Sequence, residues 1–179
     1  AVWLGRALTG EDIRRFGDGN PGGTNVGRAS GRPVLGALAI FLDMLKGALP
    51  VALAHYVYRV DGWGLVPVIL APILGHAFSP FLGFRGGKAL AATFGAWTAL
   101  TVPFGPFVMT LSLLALHKLQ TVSGWAVAGA LLALLGLLTA MGVSLPLYVG
   151  WLGTALILVY KHRADLAQKP RLRFASSKR

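Results

Sequence analysis

Cysteine is absent from this chain of 179 residues, which excludes disulfides and thiol catalysis and leaves the redox compartment unmarked. Charge is nearly as scarce. Asp, Glu, Lys and Arg make up 13% of the residues, against roughly 25% in a soluble domain, too few to cover a surface that faces water. The shortage falls on one sign. Glu11, Asp12, Asp18, Asp43, Asp61 and Asp165 are the six acids, set against 17 Lys and Arg, for a net charge of +11. The basic residues are scattered among apolar segments rather than gathered in one basic domain, which argues against nucleic acid as a partner. A signal peptide is missing too: the opening AVWLGRALTGED has too short an apolar run, with acids behind it. That opening lacks Met and reads as the tail end of a membrane span whose beginning is absent. There is no internal repeat.

What fills the chain is apolar, 55% of residues with a mean hydropathy of +0.64. Runs near the ~20 residues that cross a bilayer extend over Val34–Tyr58, Trp63–Phe84, Trp125–Leu145 and Leu147–Tyr160. An all-α integral membrane protein follows, a single polytopic domain over residues 1–179. Fourteen of the 17 basic residues lie in Arg6–Arg32, Arg85–Lys88 and Lys161–Arg179, so these segments share the cytoplasmic side. A short turn at Arg59–Asp61–Gly62 lies opposite. One long tilted helix over residues 88–119 would put the basic tail on the opposite side, so the preferred reading is two short helices broken at Pro103-Phe104-Gly105-Pro106. The total is about seven transmembrane helices, the first truncated. Gly129, Ala133, Gly136 and Ala140 form a small-residue face suited to close helix packing, and Lys169–Arg179 reads as a disordered tail.

Three segments on the basic side carry chemistry. Residues 10–33 form a glycine-rich loop containing Arg14-Arg15-Phe-Gly-Asp18-Gly-Asn20-Pro-Gly-Gly-Thr24-Asn25-Val-Gly-Arg28. Five glycines and a proline in 11 residues are unsuited to a helix interior and suited to backbone amides converging on an anion. Asn20, Thr24 and Asn25 add neutral hydrogen-bonding groups, and Arg28 a guanidinium fork matched to phosphate. The second segment, 75–93, runs Gly75-His76-Ala-Phe-Ser-Pro-Phe-Leu-Gly83-Phe84-Arg85-Gly86-Gly87-Lys88. Lys88 is expected to open a helix, a natural phosphate site. Leu82 and Ala89 stand where a Walker A loop needs Gly and Ser or Thr, which excludes that motif and ATP hydrolysis. His76 alone reads first as a packed histidine. The third segment, 160–179, opens Tyr160-Lys161-His162-Arg163-Ala-Asp165, with His162 and Asp165 expected on one helical face as base and partner. Asp43 and Lys46, mid-span and three apart, are expected to pair because isolated charge in lipid is costly.

GDGNPGGTNVGR, GHAFSPFLGFRGGKALAATFG and YKHRAD together resemble the three signature segments of the acyl-phosphate:glycerol-3-phosphate acyltransferases (PlsY), and FLDMLKGALPV resembles that family's second span. The likeness runs in order from about Asp12 to Asp165. It implies a seven-helix enzyme, multi-pass in the inner (plasma) membrane with its motifs cytoplasmic. Such an enzyme moves a fatty acyl group from acyl phosphate to the 1-hydroxyl of glycerol 3-phosphate. Lysophosphatidic acid and phosphate are released, without coenzyme A, cofactor or metal. The candidate catalytic set is Lys88 and His162, which match family positions, with Asp18 and Asp165, which are this chain's own residues in the motifs. Arg28, Asn20, Thr24, Asn25, His76, Arg85, Gly86 and Gly87 form the substrate-binding set. The family usually has Ser at the place of Asp18 and Asn at that of Asp165. It also has an Ile-Pro-Phe-Gly-type segment in the first span and a late acid in the third motif, both missing here.

Acyl phosphate is a mixed anhydride with a good leaving group. The site therefore needs positioning, cations on the leaving phosphate and a proton acceptor, but no covalent nucleophile. Lys88, Arg28 and loop amides fit the first two tasks. The acceptor's own phosphate, as the resemblance implies, or His162, Asp18 or Asp165 fits the third. The expected partners are the two small-molecule substrates and membrane lipid, with the chain a monomer. Two alternatives stand beside this: a divergent paralogue with weak activity or another phosphorylated acceptor, and a small transporter, which the clustering of ionisable residues at one membrane face disfavours.

Overall fold

The structure, a computed structural model, describes residues 1–173. Nine α-helices lie among them: α1 (Val2–Thr9), α2 (Gly23–Ser30), α3 (Pro33–Ala52), α4 (Leu65–Ala77), α5 (Leu90–Thr101), α6 (Phe104–Leu119), α7 (Ser123–Ala140), α8 (Leu145–Lys161) and α9 (Arg163–Leu166). Among the described residues, the one pairing of extended backbone is a single antiparallel bridge, Gln120 to Leu172. Helices satisfy their own backbone groups, which is what lipid demands. With adjoining turns, Pro33–Val57, Gly62–Leu82 and Ser123–Ala140 are long and apolar enough to cross a membrane, while Phe104–Leu119 and Leu145–Lys161 are shorter apolar helices. The expected break in 88–119 is present: α5 ends at Thr101 and Pro103 caps α6. At the Arg59–Gly62 turn both residues have positive φ, and His55 Nδ1 lies 3.0 Å from Asp61.

The core sits where the helices meet, while large apolar side chains such as Phe41, Leu111 and Leu152 point outward from α3, α6 and α8. Trp97 is fully buried; its indole N–H donates to Thr154 Oγ1 at 3.3 Å, and Trp151 Nε1 donates to the Leu131 carbonyl at 3.0 Å. Helices α3 and α5 approach through glycine, Gly47 lying on the Ala92 carbonyl and Gly95 on that of Met44. A methyl group has no room at either place. Gly47→Ala is expected to destabilise by about 1–3 kcal/mol, read as a lower thermal midpoint of the detergent-solubilised protein. An unchanged midpoint would disprove this account of the α3–α5 contact.

Three expectations are corrected. The glycine-rich segment is not loop throughout, because Gly23–Ser30 forms α2. A methyl on Gly23 would sit 2.7 Å from the Gly36 carbonyl, and one on Gly36 would sit 3.0 Å from Gly27 Cα. Bare backbone lets α2 lie on α3, and that packing outweighs glycine's poor helix propensity. On α7 the small-residue face is only partly used: Gly129 meets Leu116, but Gly136 faces open space. The buried stripe is Val127, Ala130, Leu131, Leu134 and Leu138, since leucines fill the gaps to its neighbours. The tail is also held at its start. The Arg171 carbonyl accepts from Thr121 N at 2.9 Å, and Arg173 Nε donates to the His117 carbonyl at 3.0 Å. Of the expected disordered tail, 174–179 lie outside the described residues.

Candidate active site

The first motif folds around its polar side chains. Asp12 caps the short turn Ile13–Arg15 by accepting from Arg14 N at 3.0 Å, and it takes the Arg14 guanidinium at 2.6 Å. The Arg14 hydrogen bond holds the Asp12 carboxyl far below the usual carboxylate range. Gly17 and Gly19 then turn the chain with positive φ, which L side chains adopt only with strain. The Arg28 guanidinium lies against Gly17 and donates to Asn25 Oδ1 at 3.0 Å. Asn25 is buried; its Nδ2 donates to Asp18 Oδ1 at 3.1 Å and to the Asn20 carbonyl at 2.9 Å. Asp18 Oδ1 also accepts from Asn20 N at 3.2 Å. Thr24 is exposed on α2.

The second motif is stitched to the first by Asn20, whose Oδ1 accepts from the Lys88 backbone N–H at 3.0 Å. Lys88 does not open a helix: Ala89 has φ 61, and α5 begins at Leu90. The glycine pair instead lets the loop lie on the end of α4. A side chain at Gly86 would strike the His76 carbonyl, and a methyl at Gly87 would sit 2.6 Å from His76 Nε2. Gly87 N donates to the His76 carbonyl at 3.1 Å. His76 Nδ1 lies 3.9 Å from Asp43, and Asp43 takes Lys46 Nζ at 2.8 Å, the expected pair. A cavity of about 530 Å³ beneath the loop is lined by Asp43, Lys46, His76, Ser79 and Gly87. Arg85 is exposed at the loop surface.

The third motif does not continue α8. His162 ends that helix with φ −104 and ψ 11, is buried, 3% exposed, and its Nδ1 lies 2.9 Å from the Leu158 carbonyl. A carbonyl only accepts, so Nδ1 carries the hydrogen and Nε2 the lone pair. Burial pushes the His162 pKa down. The expected pairing of His162 with Asp165 is absent, because the ring turns back to its own helix while Asp165 starts anew on α9. Asp165 Oδ2 accepts from Lys88 Nζ at 3.0 Å and from Ser123 Oγ at 2.9 Å.

Lys88 is thus the point where the motifs meet. Its ammonium lies 3.1 Å from Asp18 and 3.0 Å from Asp165. Arg14, Arg15 and Arg28 are the arginines near Asp18 in the sequence, yet its cation is Lys88; Arg14 is held by Asp12 and Arg28 by Asn25. Burial raises the pKa of both Asp18 and Asp165, but hydrogen bonds to Lys88, helped by the Asn20 amide and Ser123 respectively, outweigh it and hold both below the usual range. Burial lowers Lys88, and the two carboxylates more than reverse that. All three are ionised at neutral pH, a cation clasped by two anions.

Two residues here were not picked out as site residues in the sequence. Ser123, the first residue of α7, fixes Asp165. Lys161 donates to the carbonyls of Ala77 and Gly86, each at 2.9 Å. A basic residue at a helix end reads as an interfacial anchor, and a lone serine after a loop carries no pattern.

The family model for glycerol-3-phosphate acyltransferase matches residues 1–169. Glycerol-3-phosphate acyltransferase 1 of Thermotoga maritima is 36% identical over 173 residues, covering 89% of this chain and 85% of that protein. Glycerol-3-phosphate acyltransferase 1 of Deinococcus radiodurans is 38% identical over 172 residues, covering 93% and 82%. Among solved structures, the glycerol 3-phosphate form of PlsY (YgiH), an integral membrane glycerol 3-phosphate acyltransferase, superposes with a TM-score of 0.82 at 30% identity, covering 92% of this chain and 82% of that one. The lysophosphatidic acid form of PlsY superposes with a TM-score of 0.77 at 32% identity. A chain whose three motifs close on one lysine, and which matches over nearly its whole length, belongs to the glycerol-3-phosphate acyltransferase family.

Proposed function

We propose that this protein transfers a fatty acyl group from acyl phosphate to the 1-hydroxyl of glycerol 3-phosphate, as a multi-pass enzyme of phospholipid synthesis in the plasma membrane. Its helices number seven spans with α1 counted, its motifs face the cytoplasm, and it works as a monomer. The observation that supports this reading best is the meeting of Asp18, Asn20, Lys88 and Asp165 within hydrogen-bond distance, with the buried His162 three residues before Asp165. Lys88 and the exposed Arg28 hold phosphate oxygens, and Gly86 and Gly87 keep that loop low on α4. Asn20 and Asn25 shape the loop, Thr24 and Arg85 meet substrate from the exposed side, and His76 supports Gly87. The acceptor hydroxyl attacks the acyl carbonyl. Its proton passes to His162 Nε2, the bond from the acyl carbon to the bridging phosphate oxygen breaks, and phosphate leaves with that oxygen as the anion stabilised by Lys88. Purified protein should release phosphate from acyl phosphate only when glycerol 3-phosphate is present; release that ignores the acceptor would refute the assignment.

Two carboxylates on Lys88 favour a second, weaker form of the same reading, a paralogue that acylates slowly. Each anion competes with substrate phosphate for the ammonium. Asp18→Ser frees one Lys88 donor and leaves a hydroxyl for the substrate. It is expected to raise kcat/KM several-fold at pH 7.5, measured as lysophosphatidic acid formed. A lower rate would show that Asp18 serves the reaction rather than restraining it.

A further inference from the structure

We propose that Lys161 is a positioning residue for acyl transfer. Its ammonium ties the end of α8 to the phosphate-holding loop and so sets the distance between His162 and Lys88. The inference rests on the roles proposed above for those two residues.

Lys161 closes α8, and His162 follows it directly. Its Nζ donates to the Ala77 carbonyl and to the Gly86 carbonyl, each at 2.9 Å, and stands 5.2 Å from the centre of the Phe78 ring. Ala77 is the last residue of α4, so its carbonyl has no partner within the helix. Gly86 lies two residues before Lys88, and its missing side chain lets the loop press on the His76–Ala77 backbone. Two carbonyl oxygens brought to one point repel each other. A compact ammonium with three donors relieves that repulsion, and the aromatic face beneath adds to it. One side chain therefore joins three pieces: α8 with His162, the end of α4, and the loop with Lys88.

An interfacial anchor behaves differently, and the neighbouring Arg163 shows how. Its guanidinium lies 4.4 Å from the Tyr160 ring and donates at 2.8 Å to the Tyr160 carbonyl, staying on its own helix. Lys161 reaches 84 and 75 positions along the chain for its two acceptors. Both are backbone atoms of the segment that carries Lys88.

A looser link leaves both chemical groups in place but misplaces them, and a misplacement of about 1 Å costs up to roughly a hundredfold in rate. The loss belongs in kcat, since the groups that bind substrate are retained. The test compares full-length wild type with Lys161→Met, Lys161→Arg and Arg163→Met in detergent, using acyl phosphate and glycerol 3-phosphate, each rate divided by the folded fraction. Lys161→Met should lose roughly 10- to 100-fold in kcat, with both KM values within about threefold. Lys161→Arg, whose fork still spans two carbonyls, should recover most of it, and Arg163→Met should match wild type. A Lys161→Met enzyme with wild-type kcat per folded molecule overturns the proposal, as does an Arg variant no better than Met. Lys88→Met and His162→Gln are assayed alongside: if these stay active, the site reading itself fails, whereas if only Lys161→Met stays active, the link alone fails.

Discussion

Lys88→Met is expected to lower kcat/KM by about 2–4 kcal/mol, or roughly 30- to 900-fold. The lysine has two jobs that Met cannot do. It neutralises charge on the leaving phosphate as the carbon–oxygen bond breaks, and it neutralises Asp18 and Asp165, which lie 3.1 and 3.0 Å away. Without it, two carboxylates face an anionic substrate. The two contributions separate in a cycle. In an Asp18→Ser, Asp165→Asn background the unpaired anions are gone, so the penalty of Lys88→Met should shrink to that of the lost cation, and the difference measures the repulsion. A Lys88→Met enzyme within threefold of wild type would remove Lys88 from the chemistry.

The same cluster sets a pH window. Asp18 and Asp165 have folded pKa values below their ordinary ones, so their contribution to stability is present above the ordinary carboxylate pKa and is lost only as pH falls through the lowered values. Lys88 is raised, so its contribution is complete below the ordinary lysine pKa and is lost as pH rises through the raised one. Between about pH 5 and 9 none of the three titrates. Any pH dependence of rate in that window belongs to another group.

The apolar runs were legible because lipid leaves the backbone one solution, and with their adjoining turns the helical segments end within about five residues of the expected runs. The break at Pro103 followed from charge parity and proline together. The segments that meet were legible from their glycines, amides and cations, but not who pairs with whom. Asp18 has three arginines within ten residues in sequence, yet its cation lies 70 positions on, at Lys88. Nearness in sequence ranks partners only until the chain folds back on itself. Arg14 went to Asp12 through a local cap that the spacing did not advertise. The glycines misled for a related reason. In isolation they speak for loop, but at Gly23, Gly27 and Gly36 their value is the absence of a side chain between two helices, which appears only once both helices are in place. Lys161 and Ser123 were hidden because each acts on backbone or on a residue dozens of positions away.

His162→Gln is expected to lower kcat by about 10²- to 10⁴-fold, the usual worth of a positioned general base. The imidazole is well suited to the task. Its Nδ1 hydrogen is held by the Leu158 carbonyl at 2.9 Å, leaving the Nε2 lone pair for the acceptor hydroxyl. Burial depresses its pKa from the ordinary histidine value, so the ring is neutral, and able to accept a proton, from pH 6.5 upward. The wild-type rate should therefore stay level as pH falls to 6.5 and decline only below it. Protonating the buried ring also lowers stability there, because a group with a depressed folded pKa loses its contribution as pH falls through that value; thermal midpoints measured in parallel separate unfolding from loss of the base. The rival base is the phosphate of the acceptor, with a second pKa of about 6. Removing His162 discriminates between them. If the imidazole accepts the proton, His162→Gln abolishes the acidic decline along with most of the rate. If the substrate phosphate accepts it, the decline survives in His162→Gln and kcat falls less than tenfold, and His162 then only helps to hold the phosphate in place.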